Sequence, residues 1–156
     1  MTQLDYARRG IITEQMQAAA AREGVSAELL RAGIAGGEIV LPGNINHQNC
    51  LPIAIGKGLS VKVNANIGTS DRFPEVANEI AKLDAALQAG AHAVMDLSTG
   101  GDLDNNRQSI IDRSNVMIGT VPIYNALVEA QQKNGSMVAM SEDDIFRAVE
   151  KHCADG

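Results

Sequence analysis

Three residues suited to ligand recognition stand at equal intervals in this chain: Asn66, Met95 and Tyr124, each 29 positions from the next. An asparagine amide donates and accepts hydrogen bonds, a tyrosine hydroxyl donates while its ring packs, and a methionine offers a soft apolar wall. Each lies near the end of an apolar run that breaks into Gly, Ser, Thr or Pro. The runs are Val61-Lys-Val-Asn-Ala-Asn-Ile-Gly-Thr-Ser70, Ala93-Val-Met-Asp-Leu-Ser-Thr-Gly-Gly101 and Met117-Ile-Gly-Thr-Val-Pro-Ile-Tyr124. A period near 30 with helical patterning between strands is the size of a βα unit. Parallel neighbouring strands at a fixed interval would bring all three side chains to one sheet edge, where βα folds assemble their sites.

The elements that must position these residues are legible between the runs. Pro74 suits the first turn of a helix whose apolar positions Val76, Ile80, Leu83 and Leu87 recur at helical spacing, and Gly90 suits its stop. Glu75, Glu79 and Asp84 read as the solvated face of that helix. A weaker helix covers Leu103 to Arg113, Pro122 ends the third strand, and Tyr124 to Lys133 is helical up to Asn134-Gly135. Ser141 with Glu142, Asp143 and Asp144 is a capped helix start with acids favourable to the dipole. The strands predicted are 59–67, 92–97 and 117–121, parallel and adjacent, joined by right-handed crossovers.

The first 60 residues differ in texture. Short helices are predicted over Thr2 to Arg9, Glu14 to Glu23 and Ala27 to Ala35, with Thr13 and Ser26 as caps and Gly10, Gly24 and Gly36-Gly37 as stops. Glu38 to Pro42 and Leu51 to Ile55 then form a hairpin or a loop-rich cap.

Composition bounds the function classes. A length of 156 residues with 45% hydrophobic content suits one ordinary domain with a core. A net charge of −6 with scattered basic residues, no Trp and only two Tyr and two Phe argue against nucleic-acid binding. There is neither a run long enough for a membrane span nor a signal-peptide h-region, so a cytoplasmic protein is expected. Cys50 and Cys153 are too few and too far apart for a self-contained cysteine cluster, and a cytoplasmic setting argues against a disulfide.

The same three runs, with Tyr-Ala-Arg-Arg-Gly-Ile-Ile-Thr-Glu-Gln-Met at 6–16 and Leu-Pro-Gly-Asn-Ile-Asn-His at 41–47, closely resemble signature segments of the phosphomethylpyrimidine synthase (ThiC) family. The resemblance covers essentially the whole chain. It implies an α/β architecture, the N-terminal portion of a (β/α)8 TIM-type barrel, with residues 1–58 as a helical and hairpin cap and 59–156 as its first three βα units. It also implies radical chemistry on 5-aminoimidazole ribonucleotide with S-adenosylmethionine, a [4Fe-4S] cluster and zinc. A similar family, 5-hydroxybenzimidazole synthase of anaerobic cobalamin synthesis, starts from the same nucleotide and stays open as an alternative product. The resemblance assigns substrate contacts to Asn66, Met95 and Tyr124, the residues that the spacing singles out.

Family members continue through further strands that bring a substrate histidine, a Ser-Arg-Gly segment, two zinc histidines and a three-cysteine cluster motif. None follows Gly156, so this chain alone is expected to lack catalysis, as an expressed segment, a proteolytic product, an incomplete gene or a non-catalytic interaction module. Val61, Val63, Val94, Leu97 and Ile118 are expected on faces left bare by the missing strands, which predicts a homodimer or other self-association.

Other polar residues carry weaker expectations. Asp96 reads as a supporting acceptor, and the turns Gly68-Thr69-Ser70 and Gly100-Gly101 as possible backbone cradles for phosphate. His47 reads as a solvated loop histidine. His92 and His152 lack ligand spacing, and Lys57, Lys62, Arg72 and Arg107 read as surface charges.

Overall fold

A computed structural model describes residues 1–156. The chain divides into two compact units, one of residues 1–43 and 50–62, the other of residues 44–49 and 63–156.

The first unit carries helices α1 (Gln3–Arg8), α2 (Glu14–Glu23) and α3 (Ala27–Gly36). Their ends are set locally. Thr13 and Ser26 accept the Met16 and Leu29 N–H groups, and the left-handed Gly24 and Gly37 close α2 and α3. Strands β1 (Ile39–Val40) and β2 (Ile55–Gly56) pair antiparallel. Met16, Ala20, Leu30, Ile34 and Leu41 pack into the core beside them. Lys62 is tied back to Glu23 by an ion pair of 2.8 Å in which both side chains are almost fully buried, and Glu23 also accepts the Ser60 N–H at 2.8 Å. Residues 59–62 are therefore held by helix α2 instead of extending the strand predicted from residue 59.

The second unit holds a three-stranded parallel sheet of β3 (Asn64–Ile67), β4 (Ala93–Asp96) and β5 (Met117–Thr120), in that spatial order. Helix α4 (Val76–Gln88) connects β3 to β4, and α5 (Leu103–Arg113) connects β4 to β5. Helix α6 (Pro122–Asn134), a 3-10 turn at Met137–Ala139 and α7 (Glu142–Asp155) follow. Pro74 stands outside α4, which starts at Val76 after Glu75 without a side-chain cap. Pro122 does occupy the first turn of α6, where its missing N–H costs nothing.

Strand alternation sorts the sheet into two faces. Ala65, Ile67, Val94 and Ile118 pack with Leu83 of α4 and Ile110 of α5. Val94 is fully buried and Ile118 is covered by this core, so neither belongs to a bare face as the apolar pattern suggested. Of that expected set, Val61 at 88% and Val63 at 57% exposure are open. The face opposite the helices presents Asn64, Asn66, Met95 and Met117 instead.

Candidate functional site

The ladder brings two of the three candidate residues side by side. Asn66 is the register partner of Met95, and Met95 is the partner of Gly119. Asn64, on the same face, donates from Nδ2 to the Asn66 Oδ1 at 2.8 Å, which turns the Asn66 amide nitrogen outward as the free donor. The Met95 side chain crosses its neighbour: a Cβ on Gly119 would lie 2.9 Å from its Sδ and 3.0 Å from its Cε. A glycine at 119 is what leaves room for the thioether to lie flat on β5.

Tyr124 stands elsewhere. It lies off the ladder, at the third position of α6, with 38% of its surface exposed. The equal interval of 29 is thus a register distance between β3 and β4 alone; between β4 and β5 the register distance is 24. Pro122 ends pairing and starts a helix, so Tyr124 reaches the C-terminal edge as a helix-start residue.

Beneath the strand ends runs a network of buried polar groups. Asp96 accepts the Ser98 N–H at 3.0 Å and the Ser98 hydroxyl at 2.5 Å; Ser98 Oγ in turn accepts the Thr69 N–H at 2.9 Å and the Asn106 amide at 2.8 Å. The β3 and β4 turns are thereby latched together just beyond Asn66 and Met95. Burial raises the Asp96 carboxyl above its usual range, against the opposing hydrogen bonds from Ser98. Asp96 therefore has the supporting role that its position suggested.

Glu79 overturns its sequence reading. Its side chain is fully buried, and Oε2 accepts the Gly68 N–H at 2.7 Å while Lys82 faces Oε1 as an ion pair without hydrogen-bond alignment. It is three residues after Val76 and four before Leu83, on the buried stripe, which was a legible signal. The phosphate-cradle expectation for Gly68-Thr69-Ser70 is corrected too. Their N–H groups are already given to Glu79, Ser98 Oγ and the Phe73 carbonyl. The glycines serve close approach: a Cβ on Gly100 would sit 2.3 Å from the Ser70 carbonyl carbon.

Arg107 is not a surface charge. At 2% exposure it donates from Nε and Nη2 to Asp155 at 2.8 and 2.6 Å, from Nη2 to Asp104 at 2.8 Å and from Nη1 to Asn125 Oδ1 at 3.1 Å. Its Nη1 also meets His152 Nε2 at 3.1 Å, and His152 Nδ1 meets Thr120 Oγ1 at 2.9 Å. Burial and then the Arg107 charge lower His152 to about 4, so the ring is neutral at pH 7. Asp104 is held below the usual carboxylate range because hydrogen bonds from Lys151 and Arg107 outweigh the burial that would raise it. Asp96, Ser98, Thr120, Val121, Asn125 and His152 line, with Arg107, a cavity of about 10 Å³ at this edge.

His47 is likewise not solvated. It is 6% exposed and donates from Nε2 to the Ser114 carbonyl at 3.0 Å. The Asn44 and Asn46 amides of the same loop bind the Cys153 and Ala154 carbonyls at 2.7 and 2.8 Å, capping the end of α7. His92 Nδ1 accepts the Val63 N–H at 3.1 Å, a structural contact at the start of the sheet. No three of the His, Cys, Asp and Glu side chains converge as a metal-holding group, and both cysteines are free. The candidate residues offer an amide and a thioether side by side on the β3–β4 ladder and a phenol in the first turn of α6.

Residues 2–156 match the profile of the radical SAM ThiC family. The chain belongs to that family. It is 57% identical over 156 residues to the phosphomethylpyrimidine synthase of Desulfitobacterium hafniense, covering all of this chain and 36% of that protein. It is 54% identical to the namesake of Desulforamulus reducens and 50% identical to that of Thermococcus kodakarensis, with the same coverage. The chain thus spans 36% of the length of these ThiC relatives. No helix is long and apolar enough to cross a membrane.

Proposed function

We propose that this chain is a segment of a phosphomethylpyrimidine synthase, which converts 5-aminoimidazole ribonucleotide into the thiamine pyrimidine phosphate by radical S-adenosylmethionine chemistry. The observation that carries the reading is the match of the family profile across residues 2–156, with relatives of that name at 50 to 57% identity. Those names give no support to the hydroxybenzimidazole alternative.

In this reading residues 59–156 are the first three βα units of a (β/α)8 barrel and residues 1–58 are its N-terminal cap. The outward amide of Asn66 takes a nucleotide hydroxyl or amine, Met95 walls one side of the ligand, and the Tyr124 hydroxyl donates to phosphate or a ring nitrogen. A [4Fe-4S] cluster bound in the whole enzyme would provide the reducing power for the S-adenosylmethionine chemistry. The three His and two Cys of this segment do not form a ligand set for the cluster or for zinc. A cytoplasmic protein that forms a homodimer or otherwise self-associates completes the reading.

A chimera tests it. Residues 1–156 replace the matching segment of the Desulfitobacterium hafniense enzyme, and the protein is reconstituted with cluster, S-adenosylmethionine and reductant. The expected product from 5-aminoimidazole ribonucleotide is hydroxymethylpyrimidine phosphate by mass spectrometry. Formation of 5-hydroxybenzimidazole, or a folded, cluster-loaded chimera that leaves the nucleotide unbound, overturns the reading.

A further inference from the structure

The connection from Thr120 to Asn125 carries Tyr124 from strand to helix, and little within it fixes its path. Val121 takes an irregular N-cap conformation, α6 has no side-chain cap, and Pro122 provides no N–H. The Tyr124 N–H to Val121 carbonyl bond of 2.9 Å closes one local turn.

Both ends of that connection are instead tied to one buried cation. Arg107 Nη1 donates to Asn125 Oδ1 at 3.1 Å, the residue next to Tyr124. The other arm runs through His152. A guanidinium only donates, so His152 Nε2 must accept from Arg107, which leaves the proton on Nδ1 to be donated to Thr120 Oγ1 at 2.9 Å. Asp155 and Asp104 fix the far side of the guanidinium fork, so its orientation is determined before it meets Asn125 and His152. Buried ion pairs contribute little net stability, because desolvation offsets their attraction, whereas a satisfied buried network specifies geometry.

We propose that Arg107 is a positioning residue for Tyr124: through Asn125 directly, and through His152 to Thr120, it grips both ends of the β5–α6 connection and sets where the phenol stands at the sheet edge. The inference rests on Tyr124 being a substrate contact in the proposed synthase. Arg107 touches no substrate in this arrangement, and its effect is carried by the path of residues 120–125.

The chain has two tyrosines, Tyr6 and Tyr124, so ring-carbon NMR of the 13C-tyrosine-labelled 156-residue protein reads Tyr124 with Tyr6 as an internal control. Thr120→Val is close to isosteric and cuts the His152 arm; Asn125→Ala cuts the direct arm; Asn125→Asp combined with Glu129→Gln keeps an acceptor for Arg107 and replaces the bond that Asn125 Nδ2 donates to Glu129 Oε1 at 2.5 Å with its reverse. The first two should shift or broaden the Tyr124 ring signals and leave Tyr6 in place, while the Asn125→Asp, Glu129→Gln pair restores the parent position. In the chimeric enzyme the same two substitutions should raise KM for the nucleotide roughly three- to tenfold, the range for one lost neutral hydrogen bond, with the Asn125→Asp, Glu129→Gln pair near the parent. Tyr124 signals unmoved by Thr120→Val and Asn125→Ala overturn the proposal. If Asn125→Ala does not fold, Thr120→Val alone decides it. Tyr124→Phe and Tyr124→Ala tested in parallel separate the two ideas, since unchanged KM in both removes Tyr124 from the substrate site and leaves the NMR result standing by itself.

Discussion

The two faces of the β3–β4–β5 sheet are made by alternate residues of the same three strands, yet they do opposite work. Toward α4 and α5, Ile67, Val94 and Ile118 bury apolar surface around Leu83 and Ile110. On the other side Asn64 and Asn66 expose their amides, and the half-buried Met95 lays its thioether against Gly119. Along a strand a period of two separates the buried apolar residues from the residues of the opposite face one position away. The buried acids Asp96 and Glu79 bridge the two functions, because they lie on the covered side and tie down the turns at the strand ends.

That contrast is broken most directly in the core. Leu83→Ala should destabilise the protein by about 2–5 kcal/mol in a denaturant titration, as truncation of a fully buried leucine does. A loss under about 1 kcal/mol would mean that the helix-side packing does not hold the sheet. Next in size is Glu79→Ala, which leaves the Gly68 N–H without its acceptor and should cost about 1–3 kcal/mol. Equal stability of the variant and the parent protein would return Glu79 to the solvated face that its charge suggested.

Asn66→Ala should separate the two faces. The residue is exposed, so the midpoint of unfolding should stay within about 0.5 kcal/mol of the parent. In the chimeric synthase, nucleotide affinity by calorimetry should fall about tenfold or more, since a recognition hydrogen bond is lost. Unchanged affinity would take Asn66 out of the site.

The smallest effect expected is in pH dependence. His152 titrates at about 4 in the folded chain against an ordinary 6.5, because burial and the Arg107 charge disfavour its protonated form. The unfolded chain therefore binds this proton first, and the contribution of His152 is fully present above pH 6.5 and is lost as the pH falls toward 4. Asp104, held low, adds to the acid loss, whereas Asp96, raised by burial, works in the opposite direction. Unfolding midpoints at pH 7 and pH 5 should differ less in His152→Gln than in the parent; the ring is only half-buried, so the difference is modest. An identical pH slope in both proteins would show that His152 does not stay neutral in the fold.

Much of the scaffold could be read in advance because its signals act over a few residues. Ser141 caps α7 by accepting the Asp144 N–H, Ser26 caps α3 by accepting the Leu29 N–H, and Gly135 closes α6 in the left-handed region, each within three or four residues of the element it bounds. The parallel order of the three strands follows from the helical spacing between them. Register is another matter. Asn66 against Met95 and Met95 against Gly119 depend on how far each connection carries the chain before pairing resumes, and Pro122 ends that pairing before Tyr124.

The sequence alone determined the element types, most of their boundaries to within a few residues, and the family, because propensity, capping and apolar periodicity are local. The tertiary structure alone decided the ladder register, the burial of Glu79, Arg107 and His47, and the two-armed hold on the β5–α6 connection. These depend on groups brought together from positions 11 to 67 residues apart, as Gly68 with Glu79 and His47 with Ser114. A charged side chain is buried only where such distant partners meet it, and its local sequence does not contain them.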